Sequence, residues 1–324
     1  MREAFVTQLR GETVTQGSST ILVIGASGFL GRQVVKTLLA QGHTVRCLAR
    51  DPARVQDLAA AGCEVVTGDM LNAVSIQRAL QGVRAVYISV HTLSPQGANL
   101  AGQAFMDVEK TGLENIVAAC ALHGVSRLIY VTSIGTAPDA PSQWLRGRWK
   151  TEQFLLNSGL DVTIIRPGMI VGRGGTGFDA VLAGANRPVA FGLGSGQQKM
   201  RTVAVDDLAH SLVGVLNDPR AFGQAYDVGS DDVLTMDQMI DGAAAGLGRR
   251  PPIKIHFPAA LLRLFAPLIE RAGKLPRGAF QGLVDSLAAD MSGDPLPIRA
   301  LVTRPFQSYK QAVGRVLAEA KAPR

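Results

Sequence analysis

The sequence predicts a doubly wound α/β protein, and three observations support this. Short apolar runs alternate with amphipathic segments through six strands of the first half, the connections between them are mostly brief, and the first run ends in a glycine-spaced turn that leads directly into a helical pattern. Parallel strands need crossovers, and right-handed crossovers place helices on both faces of one sheet.

Ile21-Leu-Val-Ile24 is a continuous apolar run, the mark of a strand buried on both faces. From Phe29 to Gln41, Val34, Val35, Leu38 and Leu39 share one helical stripe, and Gly42 supplies the stop. A second strand spans Thr44 to Ala49, a helix Ala53 to Ala61, a third strand Glu64 to Thr67 and a further helix Ala73 to Gln81. Ala85 to Val90 reads as the fourth strand, followed by a long helical pattern from about Leu100 to His123 that stops at Gly124. Leu128 to Ser133 and Val162 to Arg166 are the fifth and sixth strands, on either side of a helix from about Trp144 to Asn157.

Beyond Pro167 the alternation loosens. Residues 172–200 are rich in glycine and read as loops over a cleft. Thr202 to Val205 suggests a short strand, Asp206 a cap for a helix from Asp207 to Leu216, and Ala225 to Val228 a seventh strand. From about Leu234 the chain reads as mostly helical, with a break at Pro251-Pro252 and a short strand at Ile253 to Phe257. The expected organisation is a leader over 1–19, a sheet domain over 20–230, and a smaller, mostly helical lobe over 231–324 on the carboxyl edge of the sheet.

Composition narrows the function classes. With 47% hydrophobic and 18% charged residues in 324, the chain has ordinary globular values. The formal charge of +7 is modest, Lys and Arg look scattered, and aromatics make up 5%, so no nucleic-acid partner is expected and the surplus reads as a field favouring anionic ligands. Cys47, Cys63 and Cys120 lie far apart without His at metal-ligand spacing, which predicts buried reduced thiols, no metal and a cytoplasmic protein. No apolar run reaches spanning length, so no integral membrane segment is expected. The stretch 1–19 is polar, with Glu3 and Glu12 close to Arg2 and Arg10, and reads as a disordered leader rather than a targeting signal.

The turn Gly25-Ala-Ser27-Gly28-Phe29-Leu30-Gly31 joins the first strand to the first helix. Gly25 permits a tight turn, Gly28 a close approach of backbone to a pyrophosphate, and Gly31 close packing of the helix on the sheet. The unpaired N–H groups and positive end of the helix then face the phosphates. The second strand ends at Arg50, about twenty residues on, where an NAD-preferring site carries Asp or Glu for the ribose hydroxyls. A guanidinium there, with Arg54 a turn later, pairs with a 2′-phosphate and predicts NADP(H) over NAD(H). Asp51, one residue further, would bring an acid to the ribose if the register slipped.

With these residues the chain resembles the short-chain dehydrogenase/reductase superfamily, most of all the atypical extended branch of NmrA-like proteins and relatives of the 39-kDa complex I subunit. The resemblance rests on Gly25-xx-Gly28-xx-Gly31, Gly68-Asp69-Met70, Ser89-Val90-His91, Tyr130-Val-Thr-Ser133, Arg166-Pro167-Gly168, Arg201 to Leu208 and Tyr226-Asp-Val-Gly229, and covers about 20–240. It implies a Rossmann fold, with Asp69 and Met70 walling the adenine, Ser89 and Val90 passing beside the cofactor, Pro167 and Gly168 beside the nicotinamide, and Ser133 orienting a substrate oxygen. Members with a Tyr-xxx-Lys pair protonate a carbonyl from the tyrosine; here Lys150 fits the lysine and is expected on the nicotinamide ribose, but Arg146 holds the tyrosine position. His91 reads as structural, with acid–base work as the alternative, and Trp144 and Trp149 are candidate pocket residues.

The implied activity is hydride transfer from NADP(H) to a small organic acceptor such as a quinone, enone or imine, none of which needs the tyrosine. A catalytically silent NADP(H)-binding sensor or assembly factor is the alternative. A nucleotide-sugar epimerase or dehydratase fits less well. The resemblance also implies a homodimer through two long helices. Pro258 to Ala272 is largely apolar and carries Arg263, Glu270 and Arg271, with a second helical pattern over Gly278 to Asp290. It reads as a lid packed on the substrate cleft in preference to a docking surface, because a lobe of this size must bury its apolar residues.

Overall fold

In the computed structural model, residues 20–90, 105–275 and 277–321 are described. The leader 1–19, His91 and the start of the fourth helical pattern at 100–104 fall outside them. Strands and helices alternate as β1 (Thr20–Ile24), α1 (Phe29–Ala40), β2 (Thr44–Ala49), α2 (Gln56–Ala60), β3 (Glu64–Thr67), α3 (Ala73–Leu80), β4 (Val83–Ile88), α4 (Phe105–His123), β5 (Arg127–Val131), α5 (Gln143–Leu156) and β6 (Asp161–Pro167). The chain continues through β7 (Met169–Val171), α6 (Thr176–Ala185), β8 (Val189–Leu193), β9 (Lys199–Ala204), α7 (Val205–Gly214) and β10 (Gln224–Val228). It closes with β11 (Val233–Thr235), α8 (Met236–Gly246), β12 (Ile253–Phe257), α9 (Ala259–Ala272), α10 (Ala279–Ser286), α11 (Leu296–Arg299) and α12 (Tyr309–Lys321).

Seven strands form one sheet in the order β10-β6-β5-β4-β1-β2-β3. Every pairing in it is parallel. The apolar runs of β1, β4 and β5 are buried because helices cover both faces. One apolar cluster joins β1 and β2 to α1 and α7, and the other joins the same sheet to α3 and α4. All strand carboxyl ends therefore meet at one edge, and the order reverses between β1 and β4, where an open α/β sheet forms its crevice. At the opposite edge Arg127 donates to the carbonyls of Val215 and Leu216 and ties the end of α7 to the start of β5.

Beyond β6 the fold departs from two expectations. The glycine-rich stretch is not simply loop, since it contains α6 and β8. Phe178, Val181 and Ala185 form a buried helical stripe there that the glycine count conceals. Asp206 does not cap α7 either. That helix begins at Val205 without a side-chain cap, and Asp206 instead accepts from Gln33 of α1 and pairs with Arg315 of α12. A third apolar cluster unites α6, α8 and α12, so it draws on residues on both sides of position 230. Two small sheets accompany it, β11-β9-β7 and the parallel pair β12-β8. The three cysteines are buried and free, and burial pushes the Cys120 thiol up to about 12.

Candidate functional site

The edge at the β1/β4 crevice is built from backbone held at close quarters. Gly25 has φ +93°, and a Cβ there would stand 2.4 Å from the Ser89 carbonyl oxygen. Ser89 lies one residue beyond β4, and its N–H donates to Ile24 at 2.9 Å. Gly28 closes the turn by donating to Gly25 at 2.9 Å and is the N-cap of α1, with no side-chain cap and no acid in the first turn. The first amides of this helix, from Phe29 through Leu30 onward, therefore have no intrahelical partner. A Cβ on Gly31 would lie 2.1 Å from the Gly25 oxygen, so this glycine lets α1 sit against the turn itself. A Cβ on Gly28 would meet the same oxygen at 3.2 Å. Such a cradle of backbone donors with no competing side chain fits a diphosphate.

Phe29 is half-buried, and its ring fills a slot left by Gly172 and Gly175, where a Cβ would come within 2.6 and 2.9 Å of it. Those glycines bind the cradle to the second half of the chain. Arg50 is exposed at the end of β2, next to β1 in the sheet. Asp51 is committed to capping the short helix Pro52–Val55, accepting from Ala53 N–H at 3.0 Å. Arg32 pairs with Asp57 and donates to the Arg54 carbonyl. Arg50 thus follows the strand directly, with Asp51 one residue on in the cap of the short helix.

Gly68 extends the ladder by donating to Ala49 at 3.0 Å. Asp69 then forms its own turn, its carboxylate accepting from Leu71 N–H at 2.9 Å. Met70 is buried, its side chain against α4 where Gly112 makes room for it. Val90 is half-buried beyond β4. On the other side of the crevice Thr132 donates its N–H to Ile165 and Ile134 donates to Pro167. The Ser133 hydroxyl donates to the Ile134 carbonyl at 3.1 Å, and Thr136 donates to the Ser133 carbonyl. Gly168 is needed where β9 passes, because a Cβ there would stand 2.1 Å from the Arg201 carbonyl oxygen.

Lys150 lies off the buried stripe of its helix. The buried stripe of α5 is Trp144, Leu145, Arg148, Thr151, Glu152 and Leu155, whereas Lys150 is exposed. At 3.6 residues per turn Lys150 sits about 200° around the helix from Arg148. The pair that faces inward at four-residue spacing is Trp144 and Arg148, not Arg146 and Lys150. Arg146 is turned back on the preceding loop, donating to the Ala140 and Pro141 carbonyls.

Arg148 is 2% exposed and anchors a charged network that the sequence reading missed. It donates to the Val131 carbonyl at 3.0 Å and lies 3.5 Å from the Glu109 carboxylate of α4. Glu109 also accepts from the Tyr130 hydroxyl. Burial opposes the Arg148 charge, but Glu109, Tyr130 and Glu152 outweigh it, so the guanidinium is held above its ordinary value. Burial, then Glu109, drives the Tyr130 phenol upward. Beside this network, wholly buried Glu152 accepts from Thr132 at 2.6 Å and holds Arg166 in a fork. Among the described residues, Arg148 Nε and Trp144 Nε1 are buried donors without acceptors. The helical stripe of α5, counted residue by residue, carries the signal that would have found Arg148. Above this wall α10 packs on α5, where Gly282 accepts from Ser142 at 2.7 Å, and Met291 approaches Gly135.

Comparison with known proteins agrees with the cradle. Residues 25–219 match the protein family described as NAD(P)H-binding. The chain is 27% identical over 274 residues to the NAD(P)H azoreductase of Xenophilus azovorans, covering 84% of this chain and 85% of that protein. It is 25% identical to the photosystem II assembly factor Ycf39 of Synechocystis, covering 93% of each. The NADPH complex of the quinone oxidoreductase QOR2 from Escherichia coli shares the fold at a TM-score of 0.70 and 20% identity, over 92% of this chain and 99% of that one.

Proposed function

The chain belongs to the NAD(P)H-binding family, within the atypical, NmrA-like short-chain dehydrogenase/reductases, and from that premise we propose that it is a cytoplasmic NADP(H)-dependent reductase of a small organic acceptor such as a quinone, enone or imine. The observation that carries the reading is the uncapped amide cradle between Gly25 and Gly31, with Arg50 at the neighbouring strand end. In this proposal the amides of Phe29 and Leu30 hold the diphosphate, with Ser27 in the same turn. Arg50 pairs with the 2′-phosphate, and Asp69, Met70, Ser89 and Val90 line the path of the cofactor. The reduced cofactor supplies a hydride when bound. Pro167 and Gly168 support the reacting end, with Arg166 fixed beside them by Glu152.

The chemistry left to the protein is orientation and charge. In this proposal the Ser133 hydroxyl turns from the Ile134 carbonyl to a substrate or ribose oxygen, and the buried, acceptor-less N–H groups of Trp144 and Arg148 stand in the wall of the site. Neither indole nor guanidinium gives up a proton near neutral pH, so Arg148 acts by stabilising charge on oxygen. That favours acceptors that take their proton from water over carbonyls that need a tyrosine.

Calorimetry with NADPH and NADH on the wild type and on Arg50→Ala tests the cofactor assignment. NADPH should bind more tightly, and loss of Arg50 should weaken it by about tenfold or more while leaving NADH little changed. Equal wild-type affinities would refute the preference. Turnover of quinones, enones and imines then tests the activity. The Trp144/Arg148 pair in place of a proton donor also favours a second reading, a silent NADP(H)-binding assembly factor or sensor. Tight binding without NADPH oxidation by any acceptor would establish that reading instead.

A further inference from the structure

The charge surplus of the chain is concentrated, contrary to its scattered appearance in the sequence. Between residues 249 and 280 there are seven Lys and Arg against one acid, Glu270, which accounts for six of the seven surplus positive charges. Glu270 is withdrawn from the surface, its carboxylate accepting from the N–H groups of Gly278, Phe280 and Gln281 at the start of α10. Arg263 is paired with Asp285 of α10 at 2.8 Å and Lys254 with Asp241, whereas Arg250, Arg271, Lys274 and Arg277 stand exposed.

The same stretch carries an inverted polarity. In β12, Lys254 and His256 face inward, paired with Asp241 and Asp237 of α8 at 2.6 and 3.0 Å. Ile253, Ile255 and Phe257 face outward, 69%, 45% and 40% exposed. The parallel register sets Ile255 beside Phe191 of β8, itself 61% exposed, and Phe191 stacks on Phe257 at 5.9 Å. Pro258 alone separates this sheet from α9, whose buried residues are Leu262, Ala266 and Glu270. Its opposite stripe, Leu261, Leu264, Phe265 and Leu268, has the i, i+3, i+4, i+7 spacing of a core-facing helix but lies open to solvent, with Leu264 73% exposed. The lid reading required these residues to be buried. They are not.

We propose that the outward faces of β8–β12 and α9 form a peripheral docking surface for anionic phospholipid bilayers. Leu, Ile and Phe side chains would enter the acyl boundary while the flanking cations meet the headgroups. No described helix is long and apolar enough to cross a membrane, so the attachment is interfacial. The sign of the flanking charge favours an anionic bilayer over a second copy of this chain, because a second copy would bring the same net positive charge to the contact. The proposal is independent of the reductase reading.

The test is co-sedimentation of the full chain with vesicles of phosphatidylcholine, with and without phosphatidylglycerol. The protein should pellet with the anionic vesicles and be released by salt. Leu264→Glu with Phe265→Glu should abolish pelleting, and Ile255→Lys should weaken it, with thermal melts by circular dichroism showing that each variant is folded. Arg271→Gln, Lys274→Gln and Arg277→Gln together should reduce partitioning by about fivefold per cation removed. The proposal is overturned if the wild type ignores anionic vesicles or if the folded apolar variants bind as well as it does. A concentration-dependent dimer lost in Leu264→Glu, without vesicle binding, would overturn it in favour of a protein interface.

Discussion

In the seven-stranded sheet both faces of the central strands are covered, so Ile21 to Ile24 are all buried although neighbouring side chains point in opposite directions. In the β8–β12 pair only one face is covered, and it is the polar one, with the Lys254–Asp241 ion pair and the His256–Asp237 hydrogen bond beneath and Ile253, Ile255 and Phe257 above. The contrast shows that alternation fixes which residues share a face but not which face is the inside. Burial on the polar side is possible because α8 offers Asp237 and Asp241 as partners. An apolar residue on the other side has no such reason to be there, which is why the outer face demands a partner.

A first pair of variants separates the two regions by how each would accommodate one methyl group. In Gly31→Ala the new Cβ would stand 2.1 Å from a backbone oxygen of the β1–α1 turn, and neither α1 nor the turn can move aside without disturbing the sheet. The variant should lose about 3 kcal/mol or more of stability and bind no NADPH, by thermal melt and calorimetry. In Gly192→Ala the Cβ would instead meet the His256 ring at 2.6 Å, a side chain that can swing. A loss of about 1 kcal/mol is expected there. Equal costs would mean that the small sheet is as rigid as the large one.

Arg148→Met comes next. It leaves Glu109 buried beside Tyr130 without its cation, so a loss of about 3–5 kcal/mol is expected by chemical denaturation. Glu109→Gln with Arg148→Met should recover much of that loss, since both charges are then gone. Failure of the double variant to recover would place Arg148's importance in packing against Trp144 instead of in charge.

These sites differ in how far the sequence revealed them. The strands of the large sheet were legible to within two residues at each end, and those buried on both faces read as apolar runs. The glycines of the cradle were legible because Gly25 needs a positive φ and Gly31 a contact that no side chain tolerates. Lys150 was picked out by motif spacing, and it stands two residues out of phase with the buried stripe that carries Arg148. Arg148, Glu109 and Glu152 resemble solvated helix charges in sequence, and only the folding of α4 and α5 over β5 shows that they satisfy one another. The outward stripe of α9 has the periodicity of a core helix, so no reading of spacing alone could tell which way it turns.

The smallest effect is the sharpest test of the opening contrast. A lysine at Val23, with no exposed surface in the large sheet, would carry its charge into a buried apolar cluster, and no folded protein is expected. The same lysine at Ile255 also stands on a strand, in a parallel pairing and beside an aromatic ring. There it only exchanges exposed hydrocarbon for a solvated cation, so unfolding stability should stay within about 0.5 kcal/mol of wild type. The two residues have similar side chains and equal claims to strand propensity, so propensity cannot account for different outcomes. If Ile255→Lys instead destabilised the protein by several kcal/mol, another part of this chain would have to cover that face. The apolar surface would then be core after all, leaving nothing there for a bilayer to bind.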